Sequence, residues 1–406
     1  MNLTQITGGV CAPIGFRAGG VHCGIRKNKS KLDLAMIASE VKCTVGCVYT
    51  QNKVKGAPIA VTKANVKDGF AQAVICNSGN ANTCNANGME IAQQTCKLAA
   101  EALGVQPTDI VVASTGVIGQ PMTITPFENG MAPLIAALNK NGSSDACEGI
   151  MTTDTCKKEY AYAFDIGGKA CHIGAIAKGS GMIHPNMATM LAFVTTDVAI
   201  SSEMLQKAVS SVAADTFNMV SVDGDTSTND MLTVLANGMA QNPQIVAANA
   251  DFMDFCTALD TVCRSISRAM AKDGEGATKL LGVNVTGAPT IQVAKKVAKS
   301  VACSSLLKAA MFGADANWGR VLCAIGYTDA EFDISKVDVA FKSKAGTVAV
   351  CKNGAGIDFS EETAKTVLLA DEIEINIAMN DGTAVATAWG CDLTYDYVKI
   401  NGDYRT

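Results

Sequence analysis

With 406 residues, 48% of them hydrophobic and 17% charged, the chain can bury a large core in two lobes and is too apolar to be disordered. A net charge of −5 and 5% aromatic residues leave neither a basic stripe nor a stacking platform, which excludes a nucleic-acid role. No apolar run reaches the ~18 residues that span a bilayer, and Met1-Asn2-Leu3-Thr4-Gln5-Ile6 lacks the basic and apolar parts of a leader, so a cytoplasmic protein without membrane association is expected.

The first third alternates short β-branched runs with turn formers. Strands are predicted at Lys42–Tyr49, Ala73–Cys76 and Asp109–Ser114. Between them Ile91, Ala92, Cys96, Leu98, Ala99 and Leu103 recur at helical spacing and predict a helix over Gly88–Leu103. A second helix is predicted at Thr125–Leu138, and Tyr160–Lys178 reads as two strands around Gly167-Gly168. Thr189–Asp197 is strongly β-prone. Ser201 or Ser202, followed by Glu203, starts a helix running to about Asp215. Further helices are predicted at Ala250–Lys272 and Val293–Phe312. The remainder alternates strands (Val337–Phe341, Thr347–Cys351, Glu372–Ala378, Ala386–Cys391) with a short helix at Ser360–Leu369. This intermixing predicts an α/β or α+β fold with a mixed sheet and no repeat or linker.

Sixteen cysteines are scattered without a single C-x-x-C pair, so zinc and dithiol chemistry lack the spacing they require. Many lie in apolar runs such as Val321-Leu322-Cys323-Ala324 and read as small hydrophobes in a reducing compartment. His22, His172 and His184 have no paired-ligand context. Asp223-Gly224-Asp225-Thr226-Ser227-Thr228-Asn229-Asp230 lacks the order and the terminal glutamate of a calcium loop. No metal is expected.

The richest segment is Lys178-Gly179-Ser180-Gly181-Met182-Ile183-His184-Pro185-Asn186-Met187-Ala188-Thr189-Met190-Leu191. A glycine-rich turn and a proline lead to a small residue, then to a threonine opening an apolar strand. That layout suits a precursor that cuts itself before its nucleophile. Ala188 leaves room for the Thr189 hydroxyl to approach the preceding carbonyl, and a rigid loop can strain that bond. Once freed, the α-amino group of Thr189, with an ordinary pKa near 8, can take the hydroxyl proton. The same residues also read as a plain loop-to-strand junction. Val111-Val112-Ala113-Ser114-Thr115-Gly116 breaks from a strand into a turn able to aim a hydroxyl and an N–H at an oxyanion, or is an ordinary turn. Asn77-Ser78-Gly79-Asn80-Ala81-Asn82 lines a polar pocket or forms a capped turn.

Taken together these segments resemble, end to end, the ornithine acetyltransferase (glutamate N-acetyltransferase) family of arginine biosynthesis. Lys178–Leu191 looks like that family's cleavage signature. Ser114–Gly119, Asn77–Asn82, Ser221–Asp230 and Gly313-Ala314-Asp315-Ala316-Asn317-Trp318-Gly319-Arg320 agree with it. The resemblance implies an ornithine acetyltransferase and β-aminopeptidase-like fold with N-terminal-nucleophile chemistry. It implies cleavage between Ala188 and Thr189 into chains 1–188 and 189–406, assembled as two copies of each. Thr189 is then the nucleophile that takes acetyl from N-acetylornithine and passes it to glutamate, with Thr115 and Gly116 holding the oxyanion. Thr152, Lys178, Thr189, Glu275, Asn401 and Thr406 match substrate-contacting positions, with Thr153 fitting as well as Thr152. His184 sits at the motif's variable position and is given no role. No cofactor is implied. Some members also take acetyl from acetyl-CoA, which these residues leave open. Two other readings stay open: an amidohydrolase or aminopeptidase of the same fold, whose acyl-enzyme is resolved by water, and a non-catalytic metabolite-binding relative with Ala188–Thr189 uncut.

Overall fold

Val-Ile-rich runs of the first half become strands because both faces of their sheet are covered. A computed structural model describes residues 2–184 and 190–403. In chain order the first strands are β1 (Thr4–Ile6), β2 (Phe16–Val21), β3 (Leu34–Tyr49), β4 (Phe70–Asn80) and β5 (Ile110–Val117). Next come β6 (Lys158–Ile166), β7 (Lys169–Lys178), β8 (Leu191–Thr196), β9 (Val220–Ser221) and β10 (Met231–Ala236). The last are β11 (Leu280–Ala288), β12 (Asp338–Ser343), β13 (Gly346–Lys352), β14 (Ala355–Gly356), β15 (Glu372–Ala378) and β16 (Ala384–Cys391).

Two units result. The first holds the described residues of Met1–Gly179, Pro185–Asn218 and Thr226–Ile266; the second holds those of Ser180–His184, Met219–Asp225 and Ser267–Thr406. The mixed α/β class expected from the sequence is the one observed.

In the first unit one mixed sheet has the order β1-β6-β7-β8-β10-β3-β4-β5, with β2 paired to the first half of β3. Pairs β8–β10 and β4–β5 are parallel, while β7–β8 and β10–β3 are antiparallel. Side chains alternate between two cores. Ala35, Ile37, Val74, Cys76, Val111 and Ala113 pack with Ala146, Cys147 and Ile150 of helix Ser143–Ile150. Leu34, Met36, Ala73, Ile75, Ile110 and Val112 pack with Ile91, Cys96 and Ala99 of helix Gly88–Leu103 and with Phe127 and Leu134 of helix Thr125–Ala137. Gly167 and Gly168, at φ +56° and +75°, form the tight turn that joins β6 to β7.

The second unit is built on a sheet of order β14-β13-β12-β15-β11-β16-β9. Ile373, Ile375 and Ile377 of β15 face a core shared with Val297, Ala298 and Val301 of helix Ile291–Cys303. On β11, Asn284 Nδ2 donates to Asn376 Oδ1 at 3.0 Å, and its own Oδ1 accepts from Thr387 Oγ1 at 3.0 Å.

Three predicted elements differ markedly from the observed ones; the strand expected at Ala73–Cys76 runs over Phe70–Asn80. The single helix expected over Val293–Phe312 is two, Ile291–Cys303 and Ser305–Phe312. Ser304 adopts φ −66°, ψ 106°, and its Oγ accepts from the Leu307 N–H, so it ends one helix and caps the next. The strand expected at Lys42–Tyr49 is the second half of β3, which begins at Leu34. Its register against β4 shifts between Ala38 and Cys43, where Ser39, Glu40 and Lys42 interrupt the apolar pattern.

All sixteen cysteines are free thiols. Burial pushes most of them up, among them Cys43 and Cys147 to about 12. In native, reduced protein we expect only the exposed Cys84, Cys156 and Cys323 to react rapidly with a thiol reagent, and all sixteen to react after denaturation. A stopped-flow thiol titration checks the count. Fast labelling of Cys47 or Cys263, located by peptide mapping, would contradict the packing described.

Candidate functional site

β4 and β5 of the first unit run parallel and end side by side, with Ser78 opposite Thr115 and Gly79 opposite Gly116. Gly116 sits at φ +129° and Gly79 at φ +108°, where side chains are strongly disfavoured. A Cβ on Gly116 would stand 2.3 Å from the Gly79 carbonyl carbon, so the two backbones touch. Ser114 Oγ donates to Asn77 Oδ1 at 2.6 Å, and Asn77 Nδ2 donates to the Asn80 carbonyl at 2.9 Å. Thr115 is buried at 9% exposure. The Thr115 hydroxyl and the Gly116 backbone are thereby held at a stiff strand end, an arrangement suited to chemistry in which negative charge develops.

Lys178, also buried, ends β7. Next to it, Asp154 gathers the chain. Its carboxylate accepts from the Gly179 N–H at 2.7 Å, the Thr152 N–H at 3.0 Å and the wholly buried Lys158 Nζ at 2.7 Å. Burial pushes the Asp154 carboxyl up, but the charges of Lys158 and Lys178 and the Gly179 N–H override it and hold the group down at about 2. One carboxylate therefore positions Thr152 and the residue following Lys178. Arg26 joins this cluster to the strand ends. Its Nη2 donates to the Met151 carbonyl, and its Cγ lies 2.8 Å from where a Gly79 Cβ would be. Lys178 and Arg26 both act on the Cys76 thiol, lowering it against the burial that dominates. The cluster is electropositive.

Asp230 lies in the same unit with the opposite character. Burial, stronger than the Ser227 hydrogen bond and the Lys178 charge, pushes its carboxyl well above the usual carboxylate range. Its Oδ2 has no hydrogen-bond partner among the described residues.

The second unit holds a separate set. Glu275 is buried, and its carboxylate lies 2.3 Å from where a Gly181 Cβ would be, so a side chain at 181 would displace it. Asn401 Nδ2 donates to Glu275 Oε2 at 2.8 Å, which brings two of the expected substrate residues together. Ser180 Oγ donates to the Asp273 carbonyl at 2.6 Å, and the Glu275 N–H donates to the Ser180 carbonyl at 3.1 Å. Asp223 accepts from the Met182 and Ile183 N–H groups at 2.6 and 2.9 Å and from Tyr397 Oη at 3.3 Å. Met182 is held at φ +56°, a left-handed conformation that costs ~1 kcal/mol for a side-chain-bearing residue. His184 Nδ1 lies 3.1 Å from Ser221 Oγ and 3.4 Å from Cys303 Sγ; burial and the Lys299 charge push it down to about 4, which leaves the ring neutral at pH 7.

Of the residues singled out in the sequence, Ala188, Thr189 and Thr406 lie outside the described residues. Thr115 and Gly116 share one strand end, Thr152 and Lys178 share the Asp154 cluster, and Glu275 and Asn401 are paired. Arg26, Asp154 and Asp230 were missed. Asp154 stood within Thr152-Thr153-Asp154-Thr155 and Asp230 within the acidic run weighed as a calcium loop, so their type was visible but not their burial. Arg26 carried no signal.

A model of the ArgJ family matches residues 17–406. The chain is 50% identical over 403 residues to the arginine biosynthesis bifunctional protein ArgJ of Symbiobacterium thermophilum, covering 99% of each. It is 48% identical over 402 residues to the protein of the same name from Caldanaerobacter subterraneus subsp. tengcongensis, again covering 99% of each. The chain belongs to the ArgJ family. Among solved structures it is similar to ArgJ of Bacillus halodurans at 45% identity, over 52% of this chain and 97% of that one, with a TM-score of 0.49.

The two buried aspartates should show opposite pH signatures. Asp154 is depressed in the folded state, so its contribution is present above the ordinary carboxyl pKa and is lost as pH falls from about 4 toward 2. Asp154→Asn should cost about 3–5 kcal/mol at pH 7, because Lys158 is left buried without its partner charge. Asp230 is raised, so its ionisation opposes folding increasingly as pH climbs above about 4. Asp230→Asn should therefore raise the Tm at pH 7 and change it little at pH 4. Thermal unfolding of both variants at the two pH values checks the signs.

Proposed function

We propose that this protein transfers acetyl from N-acetylornithine to glutamate in arginine biosynthesis, through an acetyl ester on Thr189. The observation that carries this reading is 50% identity along 99% of the chain to a protein named for arginine biosynthesis. The α-amino group of Thr189 takes the hydroxyl proton as its oxygen attacks the acetyl carbonyl. The tetrahedral oxyanion accepts hydrogen bonds from Thr115 and Gly116. Its collapse returns the proton to the departing ornithine amine and leaves the ester. The amine of glutamate then attacks that ester, and N-acetylglutamate leaves as the Thr189 hydroxyl is restored. Thr152, Lys178, Glu275, Asn401 and Thr406 bind substrate in this scheme. Lys178 pairs with a carboxylate and Glu275 with an amino group.

Self-cleavage at Ala188–Thr189, giving 1–188 and 189–406, belongs to the same proposal. The sheet order β7-β8-β10-β3 favours continued association, because β8 and β10 come from 189–406 and both flanking strands from 1–188. We assign the active form two copies of each fragment and no cofactor, with acetyl-CoA as a second acetyl donor that would account for the word bifunctional in the relatives' name. Among the described residues no helix is long and apolar enough to cross a membrane. We place the enzyme in the cytoplasm.

Intact-mass analysis of purified protein should find two fragments, the second beginning with Thr189. Thr189→Ala should remain one chain and transfer no acetyl; normal processing of that variant would remove Thr189 from the cleavage. With labelled N-acetylornithine, label should appear in N-acetylglutamate, and release mainly as acetate would make the protein a hydrolase. Thr115→Ala should lower kcat about 100-fold or more with KM changed only a few-fold.

A further inference from the structure

Acetyl donor and acceptor of the proposed reaction share an α-carboxylate and differ in the charge of their side chains. At neutral pH N-acetylornithine ends in an ammonium group, whereas glutamate ends in a second carboxylate. A site that releases the first and admits the second needs a cation beyond the one that holds the shared carboxylate. In that reaction Lys178 serves the shared group. Of the cations grouped with Lys178, Lys158 is wholly buried and its Nζ is bonded to Asp154 Oδ1 at 2.7 Å. The other is Arg26, which is half-buried.

The fold fixes Arg26 from its backbone outward. Asp33, buried immediately before β3, accepts from the Cys23 and Arg26 N–H groups at 2.6 and 2.9 Å. The Asp33 carbonyl accepts from the Ser78 N–H at 2.9 Å, which ties the Arg26 loop to the end of β4. The Arg26 stem crosses that end where Gly79 leaves room, since a Cβ on Gly79 would stand 2.8 Å from Arg26 Cγ. Gly79 in turn lies opposite Gly116. At the far end of the side chain, Nη2 donates to the carbonyl of Met151, the residue before Thr152. Arg26 therefore reaches from the Gly79 and Gly116 strand ends to the Thr152 segment. A carbonyl is neutral, so this bond leaves the charge of the guanidinium whole. Burial raises the Cys76 thiol, and the charges of Lys178 and Arg26 both oppose it, so the two cations act on one place.

We propose that Arg26 selects the acetyl acceptor, by pairing its guanidinium with the side-chain carboxylate of glutamate. The planar fork of a guanidinium matches a carboxylate, and the group stays protonated at any working pH. N-acetylornithine has no side-chain carboxylate for it, so the donor half of the reaction runs without Arg26. This rests on glutamate being the acceptor and on Lys178 and Thr152 lying at the substrate.

The test separates the two half-reactions. Exchange of labelled ornithine into N-acetylornithine uses only the donor half, while kcat/KM for glutamate reports the acceptor half. Arg26→Gln removes the charge and keeps an amide donor. Expected are a kcat/KM for glutamate lowered about tenfold or more, and ornithine exchange within about twofold of wild type. Transfer to glutamine, whose side chain is neutral, should fall less than transfer to glutamate. Rates are taken per Thr189 amino terminus, so incomplete cleavage does not enter. Equal losses in exchange and in transfer overturn the proposal and leave Arg26 a structural tie to Met151. If Arg26→Gln misfolds or stays uncut, Arg26→Lys decides, because it keeps the charge and loses the fork. Its kcat/KM for glutamate should fall about three- to tenfold with exchange unchanged, and an equal fall in both overturns the role. A wild-type enzyme that exchanges ornithine but yields acetate in place of N-acetylglutamate shows instead that glutamate is not the acceptor.

Discussion

The parallel pairing of β8 with β10, with β7 and β3 on either side, is the constraint on which the first unit depends. Parallel strands are stable only when both faces of the sheet are covered, and every residue of β8 and of β10 is buried. The ladder ties chain segments far apart in sequence, Leu34–Tyr49, Lys169–Lys178, Leu191–Thr196 and Met231–Ala236. Two of these strands carry polar residues of the candidate site at an end. Lys178 stands at the end of β7, and Asn229 and Asp230 immediately precede β10.

Buried polar groups then organise the loops that the ladder leaves loose. Desolvating a carboxylate or an amide is costly unless every lone pair and proton finds a partner. Asp154 and Asn229 meet that demand by collecting backbone groups from separate segments, N–H groups on Asp154 and C=O groups on Asn229. The cost of burial is thus turned into definition of the loop. Asp230 is the exception, a buried carboxyl with one oxygen unsatisfied, and it sits beside Asn229, whose amide is fully bonded. Such a contrast between neighbours is typical of sites where function overrides stability.

Elements with strong local signals were legible in the sequence. Helices Gly88–Leu103 and Ala250–Lys272 have the bounds their periodicity predicts, and the Ser201 cap and the Gly167-Gly168 turn are where local chemistry puts them. β10 was missed because its nearly continuous apolar run gives no period by which to tell strand from buried helix, and β11 was missed although Val283, Asn284, Val285 and Thr286 alternate. The break at Ser304 was invisible for a related reason: apolar residues recur at helical spacing on both sides of it. At the site, Thr115, Gly116, Lys178 and Glu275 stood out through motif context. Arg26 and Asp154 did not, since their importance lies in partners more than a hundred residues away or in burial.

By itself, then, the sequence determined the fold class, the local elements with caps and turns, and the family, because these rest on spacing and residue type along the chain. Tertiary structure decided which groups serve one another. Only the folded ladder sets Gly79 against Gly116, places Thr152 and Gly179 on one carboxylate, and brings the Asn229 amide to the carbonyl that precedes Thr115. Those relations depend on strand order and register, which are settled by packing across long stretches of chain and leave no mark at any single position.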